Sequence, residues 1–162
     1  MLSSPPFETS LASNHHIELP SGSVALFIEK NMKRVKVTAT FQSKTIEFHA
    51  ALIKHHSGMY RMSFSAAKQK ELGVFANDYF TVQLFEDTSK YGVEMSEELN
   101  AVLLSDYDAF QIFEALTPGR QRSIIYAIAR YKTSQTRIDK ALIFTENLKR
   151  GITDPKMWFK KF

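Results

Sequence analysis

One stretch, residues 59–87, limits the fold more than any other part of this 162-residue chain. It reads MYRMSFSAAKQKELGVFANDYFTVQLFED, and apolar and polar residues alternate towards both of its ends. Alternation with a period of two is typical of a strand that buries one face. Between the two predicted strands, Ser65 can cap a short helix, and Gly73 can end it in the left-handed conformation. The stretch therefore predicts a small, strand-rich domain.

Two further alternating segments precede this stretch and predict a β-hairpin. Residues 35–41 alternate, residues 46–52 alternate again, and Gln42 and Ser43 connect them. Shorter strands are predicted before the hairpin, which brings the total to about six. We predict that residues 1–90 form a small closed β-barrel with one or two short helices.

After Lys90 the pattern changes to helical spacing with capping residues. Ser96, Asp106 and Thr117 each precede a segment whose apolar residues recur at intervals of three and four, and Gly151 ends the last one. The last two of these helices are predicted to pack as an antiparallel hairpin. We predict that residues 91–162 form an appendage of three or four helices, so that the whole chain is an α+β protein.

Charge is distributed unevenly along the chain, although its net value is only +4. Residues 1–118 hold 10 basic and 14 acidic side chains, whereas residues 119–162 hold 11 basic and 3 acidic ones. A basic C-terminal part indicates a polyanionic partner, and a nucleic-acid-binding protein is one alternative function. That alternative would use Arg120, Arg122, Arg130, Arg137, Lys160 and Lys161.

The basic residues have a competing interpretation. Arg120, Arg122 and Arg130 spread around the axis of one predicted helix, which is typical of a solvated surface, whereas a phosphate-binding surface would gather them. Trp158, Phe159 and Phe162 can stack on bases, touch a membrane surface or dock on their own domain.

The chain contains no cysteine, which excludes disulfides and thiolate metal ligands and is typical of a reducing compartment. The first basic residue is Lys30, so no charged start of a secretory signal is recognisable. The longest apolar run, residues 24–28, is too short to span a bilayer. We predict a cytoplasmic protein without a membrane span, whose oligomeric state the sequence leaves open.

Neither a metal site nor a catalytic motif is evident. His15 and His16 are neighbours, as are His55 and His56, and neighbours in an extended chain point to opposite sides, whereas metal ligands converge. The sequence holds no Gly-x-Ser-x-Gly motif and no phosphate-binding loop. We predict no metal, no cofactor and no catalytic residues, with a small hydrolase that depends on His49 as a further alternative.

Polar and aromatic groups of the predicted barrel are the remaining binding candidates. We predict that Arg34, Tyr60 and Arg61 face a ligand in the barrel mouth or in a groove beside the helices, because binding sites are concave and combine apolar walls with a few polar groups. If carboxylates bury both arginines, their role is structural instead. The favoured function is a non-enzymatic binding or interaction module with an unidentified ligand or protein partner.

The order and spacing of several short motifs resemble the bacterial YdeI/OmpD-associated family. The N-terminal motifs are KRVKV at residues 33–37, GMY at 58–60, KELG at 70–73 and ND at 77–78, and the C-terminal ones are FEALTP at 113–118 and RIDKA at 137–141. The resemblance covers about residues 7–151. It implies a β-barrel domain of unassigned function, a helical bacteriocin-protection segment, and a loose link to envelope stress or peptide-toxin resistance. It implies no catalytic residues.

Overall fold

A computed structural model describes residues 1–161, and Phe162 lies outside the described residues. The chain divides into two compact units, Met1–Thr88 and a second unit that begins at Ser89. Within residues 1–161 the first unit contains eight strands and two α-helices, and the second contains four α-helices. The protein is therefore α+β.

The strands of the first unit form two antiparallel sheets of four strands each. Their bounds are β1 (Phe7–Thr9), β2 (Leu11–Ser13), β3 (His16–Leu19), β4 (Arg34–Phe41), β5 (Lys44–Ala51), β6 (Ile53–Lys54), β7 (Tyr60–Ser63) and β8 (Phe80–Glu86). The first sheet has the order β1-β8-β4-β5, and the second has the order β2-β3-β7-β6. Helix α1 (Ser21–Ile28) connects β3 to β4, and α2 (Ala66–Leu72) connects β7 to β8.

The predicted closed barrel of about six strands is wrong. β7 pairs with β3 and β6, whereas β8 pairs with β1 and β4, and over residues 1–161 no strand ladder joins the two open sheets. Alternation determines which face of a strand is buried, but any neighbour can satisfy the backbone hydrogen bonds of its edge. The two strands of the stretch at residues 59–87 therefore belong to different sheets, which their sequence pattern did not show.

The predicted hairpin is confirmed. β4 and β5 pair along their whole length, from Arg34 opposite Ala51 to Phe41 opposite Lys44. Gln42 has a positive φ of 54° in the two-residue connection. Such connections require positive φ, which is why asparagine and glycine are usual there.

The predicted helix at residues 66–72 is also confirmed. The Ser65 hydroxyl oxygen accepts a hydrogen bond from the Lys68 backbone N–H at 3.3 Å. Gly73 ends the helix with φ 83° and ψ 27°. Glycine reaches this left-handed conformation without the clash that a Cβ atom causes.

Both sheets and both helices of the first unit contribute to one apolar core. Val35, Val37 and Ala39 alternate along β4 and are fully buried. Phe64, which follows β7, stacks on Phe80 of the other sheet with ring centroids 5.3 Å apart. Each large apolar side chain buried in this way contributes about 1.5–3 kcal/mol to the free energy of unfolding.

Four α-helices and a short 3-10 turn make up the second unit. They are α3 (Glu97–Leu104), α4 (Tyr107–Ala115), α5 (Pro118–Ala129), α6 (Ser134–Lys149) and the turn Pro155–Met157. Each helix begins after a side chain whose oxygen accepts a backbone N–H: Ser96, Asp106, Thr117 and Thr133. The first three caps confirm the predicted helix starts. Across residues 1–161, every helix falls short of the length and hydropathy needed to cross a bilayer.

Helices α3 and α6 lie side by side and run in the same direction. At their first turns, Arg137 Nε donates to Glu98 Oε1 at 2.6 Å. Lys149 Nζ, in the last turn of α6, lies 2.8 Å from Oδ2 of Asp106, which follows the end of α3 and caps α4. α6 contacts α3 more extensively than it contacts α5. The antiparallel hairpin of the last two helices is therefore not the main packing contact of α6.

The core of the second unit is largely aromatic. Phe144 of α6 packs edge-on against Phe113 and Trp158, with centroid distances of 6.3 and 5.5 Å. Trp158 is only 1% exposed, and its Nε1 donates to the Ile152 carbonyl oxygen at 2.9 Å. The Phe159 ring lies 6.0 Å from that of Phe144. Trp158 and Phe159 therefore dock on their own unit, which is one of the three roles considered for this aromatic segment.

Candidate functional site

A pocket of about 210 Å³ lies beside Tyr60 in the first unit. Three segments that are distant in sequence form it: the end of α1 with the turn that follows, the residues around β6, and the start of β7. We call it the Tyr60 pocket, and its lining residues are Ile28, Asn31, Lys33, Leu52, Lys54 and Tyr60.

Backbone geometry holds these segments together. Asn31 has a φ of 58°, which turns the chain after α1 towards β4. The Leu52 N–H donates to the Lys33 carbonyl oxygen at 2.8 Å. Lys54 lies directly opposite Tyr60 in the β6–β7 ladder, and the Cβ atoms of such pairs are about 4.5–5.5 Å apart. Both lysines and the tyrosine are therefore fixed at their backbone positions.

The lining combines apolar walls with hydrogen-bond donors. Ile28, Leu52 and the Tyr60 ring supply apolar surface, while Lys33 and Lys54 supply ammonium groups. The lining contains no aspartate or glutamate. Its volume is below the ~300–1,000 Å³ of pockets for drug-sized ligands. The chemistry fits a small organic anion whose charge contacts the lysines and whose body contacts the apolar walls.

Of the three binding residues predicted from the sequence, only Tyr60 lines this pocket. Arg34 is half-buried at the start of β4, opposite Ala51. Arg61 follows Tyr60 in β7, and successive side chains of a strand point to opposite faces. The structure therefore separates Arg61 from the pocket.

Arg61 lies next to a carboxylate on its own face of the second sheet. Its Nη2 is 3.9 Å from Oε1 of Glu18, the residue directly opposite on β3. The Nε atom is buried and has no hydrogen-bond acceptor among the described residues. Burial and the charge of Arg61 lower the pKa of nearby His55.

The histidines do not belong to any cluster of three potential metal ligands among residues 1–161. The His55 and His56 rings lie 3.8 Å apart, yet no group of three His, Asp or Glu side chains within residues 1–161 is arranged to hold a metal ion. His49 Nδ1 lies 3.1 Å from Asp87 Oδ2, and both side chains are largely buried. A carboxylate can orient a histidine base in this way, but no described hydroxyl group is hydrogen-bonded to His49.

The basic residues proposed for nucleic acid differ in their surroundings. Arg137 is engaged by Glu98, and its Nη1 also donates to the Tyr131 carbonyl oxygen at 2.7 Å. The hydrogen bond from Arg137 lowers the pKa of Glu98. Arg120 and Arg130 lie at opposite ends of α5, about 15 Å apart along its axis. Arg122 is half-buried on the same helix, and Lys160 and Lys161 are exposed after the 3-10 turn.

A second concave surface lies between α3 and α6. It encloses about 400 Å³, and we call it the α3–α6 groove; its lining residues are Glu97, Glu98, Ala101, Val102, Ser105, Ser134 and Ile138. Val102 is buried and Ile138 is half-buried, so the floor is apolar. The groove therefore has an apolar floor and two carboxylates, Glu97 and Glu98, at one end.

The comparison with known families bears on the second unit. Residues 92–151 match the family described as Bacteriocin-protection, YdeI or OmpD-Associated. Residues 92–151 are similar to this family, and we refer to them as the YdeI/OmpD-associated segment. The resemblance noted in the sequence is thereby confirmed for these residues. The YdeI/OmpD-associated segment contains all of α3 to α6 and the whole α3–α6 groove, whereas the resemblance of residues 7–91 stays a prediction.

Two wider comparisons add little. No curated protein matches the chain. Among solved structures, the solution structure of PHS018 from Pyrococcus horikoshii is similar with a TM-score of 0.38 and 15% identity, covering 55% of this chain and 100% of that one.

Sequence reasoning missed most of the Tyr60 pocket. Asn31, Lys33 and Lys54 come from loops and a two-residue strand, and no periodic pattern marks them. Lys33 and Tyr60 did fall within two of the motifs that resemble the YdeI/OmpD-associated family. For Lys33 this was the only signal, whereas Tyr60 was also a predicted binding residue, and neither signal indicated that the two residues meet.

Proposed function

We propose that this protein is a non-enzymatic binding module whose first unit takes a small organic anion in the Tyr60 pocket. One observation carries the proposal: the pocket combines two lysines and an asparagine with apolar walls, and no acidic residue lines it. The YdeI/OmpD-associated segment of the second unit supplies the link to bacteriocin protection.

The electrostatics of the pocket favour an anion. Neither Lys33 nor Lys54 takes part in an ion pair with any described residue. Exposed ion pairs contribute only about 0–1 kcal/mol each to the free energy of binding. Most of that free energy must therefore come from apolar contact of the ligand with Ile28, Leu52 and Tyr60. We expect a dissociation constant on the order of 0.1–1 mM for a fragment-sized ligand.

Three probes of similar shape test the charge preference. Benzoate, benzyl alcohol and benzylamine differ mainly in charge, and each is titrated into the full chain while amide NMR signals are followed. Benzoate is expected to shift the signals of residues 31–33, 52–54 and 60, and benzylamine is expected to shift none of them. Equal binding of the three probes, or shifts confined to other residues, would contradict the proposal.

As part of the same proposal, the whole chain protects a bacterium against bacteriocins. The proposal also keeps the cytoplasmic location that was predicted from the sequence. Expression of the chain in a bacteriocin-sensitive strain should raise the bacteriocin dose needed for killing. A Lys33→Met/Lys54→Met double variant expressed at the same level should lose this effect. Full protection by the double variant would separate protection from the pocket.

The two alternative functions have less support. Arg137, one of the residues on which nucleic-acid binding would depend, is engaged by Glu98, and the other arginines are spread along α5. The hydrolase alternative depends on His49, whose described hydrogen bond is to Asp87 and not to a nucleophile.

A further inference from the structure

The polar side chains that line the Tyr60 pocket have no partner within the described part of the chain. Among residues 1–161, the side chains of Asn31, Lys33, Lys54 and Tyr60 take part in no hydrogen bond and no ion pair. Water satisfies these groups in the free protein, and a ligand whose polar atoms reproduce those hydrogen bonds can replace it. The pocket therefore offers four unengaged polar groups from three segments of the chain.

The charges around the pocket do not balance. Lys33 and Lys54 contribute two ammonium groups, and the six lining residues include no carboxylate. A ligand with one negative charge balances one ammonium group and leaves a second positive charge beside it. A dianion balances both, because the attraction between opposite charges is proportional to the product of the charges. The pocket is therefore complementary to a ligand charge of about −2.

Backbone contacts place the two lysines on neighbouring segments. The Lys33 carbonyl oxygen accepts the Leu52 N–H at 2.8 Å, and Lys54 follows Leu52 by two residues. Two residues of extended chain span about 6.6 Å, and each ammonium group lies at the end of a flexible four-carbon side chain. Both ammonium groups can therefore contact a single group of a ligand.

The carbonyl groups at the end of α1 are already engaged. Such groups carry partial negative charge, and Ile28 of the lining is the last residue of α1. The Phe27 carbonyl oxygen accepts the Met32 N–H and the Ile28 carbonyl oxygen accepts the Asn31 N–H, both at 2.9 Å. The full charges of the two lysines therefore outweigh the partial charge that remains at the helix end.

We propose that the Tyr60 pocket selects dianions over monoanions, and that its ligand is a phosphate monoester with a small apolar body. The inference rests on the proposed anion binding and adds the class of anion. A phosphate monoester carries about −1.5 to −2 charge at neutral pH and has three acceptor oxygens on one group. Two of these oxygens contact Lys33 and Lys54, the third accepts a hydrogen bond from the Asn31 amide, and the body packs on the apolar walls.

Phenyl phosphate and phenyl sulfate test the charge preference, because the two anions have the same shape and differ by one charge. Each is titrated into the full chain while the amide NMR signals of residues 31–33, 52–54 and 60 are followed. At about pH 7.5 phenyl phosphate is expected to bind about three- to fivefold more tightly, since it engages a second exposed ion pair. At about pH 5 the phosphate takes up its second proton, so the two dissociation constants should become equal. Equal constants at neutral pH, or a preference that persists in acid, would overturn the proposal.

Two pocket variants test whether the lysines recognise the second charge. Lys33→Met and Lys54→Met should each reduce the ratio of the two dissociation constants to about one, because a single ammonium group then remains. Lys70→Met is the matched control, at an exposed lysine of α2 outside the pocket, and it should keep the wild-type ratio. A wild-type ratio in both pocket variants would contradict the role of the lysines. The ratio separates charge selection from a general loss of binding.

The failure of this inference and the failure of the proposed function give different results. If benzoate and phenyl sulfate shift the pocket signals and phenyl phosphate binds no more tightly, the pocket binds anions without selecting dianions. If none of the three anions shifts these signals, the proposed function fails as well. Phthalate, whose two charges lie on separate groups, should bind more weakly than phenyl phosphate. Tighter binding of phthalate would overturn the assignment to a phosphate.

Discussion

Asn147 holds the C-terminal segment against α6 through Trp158. Its Nδ2 donates to the Trp158 carbonyl oxygen at 2.9 Å and also lies within hydrogen-bond distance of the Met157 and Lys160 carbonyl oxygens. Asn147 is 1% exposed. A single buried amide thus satisfies the backbone of the chain around the indole ring, and the ring in turn packs on Phe144.

Asn147→Ala is expected to lower the free energy of unfolding of the second unit by about 2–3 kcal/mol, because the substitution removes the donors and leaves buried carbonyl groups without partners. Urea denaturation followed by Trp158 fluorescence measures the change. Asn100→Ala is the matched control, since Asn100 is exposed on α3, and it should change the midpoint little. An equal loss in both variants would show that the contacts of Asn147 contribute nothing specific.

Gly73→Ala is expected to lower the stability of the first unit by about 1 kcal/mol, because an alanine at φ 83° suffers the left-handed backbone clash. Open space surrounds the position of an added Cβ, so the cost comes from the backbone and not from packing. Gly22→Ala, within α1, has no positive φ and should be neutral or slightly stabilising. The midpoint temperatures of thermal unfolding of both variants are compared. An unchanged midpoint for the Gly73→Ala variant would contradict the interpretation.

Acid is expected to destabilise the second unit through Glu98 and Asp106. Hydrogen bonds from Arg137 and Lys149 hold the pKa values of these carboxyl groups below their usual 4.5 and 3.8. The unfolded chain therefore takes up protons before the folded chain does, so the stabilisation is complete above these usual values and is lost as the pH falls through the lowered ones.

Urea midpoints measured between neutral and acidic pH check this expectation. A Glu98→Gln/Asp106→Asn double variant should show a smaller loss on acidification than the wild type, because asparagine still caps α4 but does not titrate. Glu94→Gln, at an exposed carboxylate of the same unit, should keep the wild-type dependence. Identical profiles for wild type and double variant would contradict the assignment.

Lys54→Met is expected to weaken benzoate binding by up to about fivefold, because it removes one ammonium group, worth about 0–1 kcal/mol, while keeping a side chain of similar length. Lys33→Met should act in the same direction, and Lys70→Met, at an exposed lysine of α2 outside the pocket, should have no effect. Titration calorimetry or NMR supplies the dissociation constants. Equal affinities for all three variants would place the anion elsewhere.

Arg137→Met and Arg120→Met are expected to act on different properties. Arg137 bonds Glu98 and the Tyr131 carbonyl oxygen, so its loss should lower the thermal midpoint of the second unit. Arg120 is exposed in the first turn of α5, so its loss should leave the midpoint unchanged. Heparin-column retention of the same variants shows whether either contributes to polyanion binding. A fall in midpoint for Arg120→Met alone would reverse these roles.

Local structure was largely readable from the sequence. The caps at Ser65, Ser96 and Asp106, the stop at Gly73 and the hairpin at Gln42 depend on hydrogen bonds and backbone angles within a few residues. The buried faces of the long strands follow from alternation in the same way. The motifs of the helical part also sufficed to indicate the YdeI/OmpD-associated family over residues 92–151.

Strand pairing and the candidate site needed the tertiary structure. Tyr60 and Phe80 each begin a strand in which apolar and polar residues alternate, yet β7 and β8 belong to different sheets. The alternation does not show which strand will pair with the backbone hydrogen-bonding groups at a strand's edge. Lys33 and Lys54 meet at the Tyr60 pocket although 20 residues separate them in sequence. The chain by itself determined its helices, turns and buried faces, since those depend on neighbouring residues. Only long-range packing decided the two open sheets, the pocket and the α3–α6 groove, since each depends on side chains that local patterns do not relate.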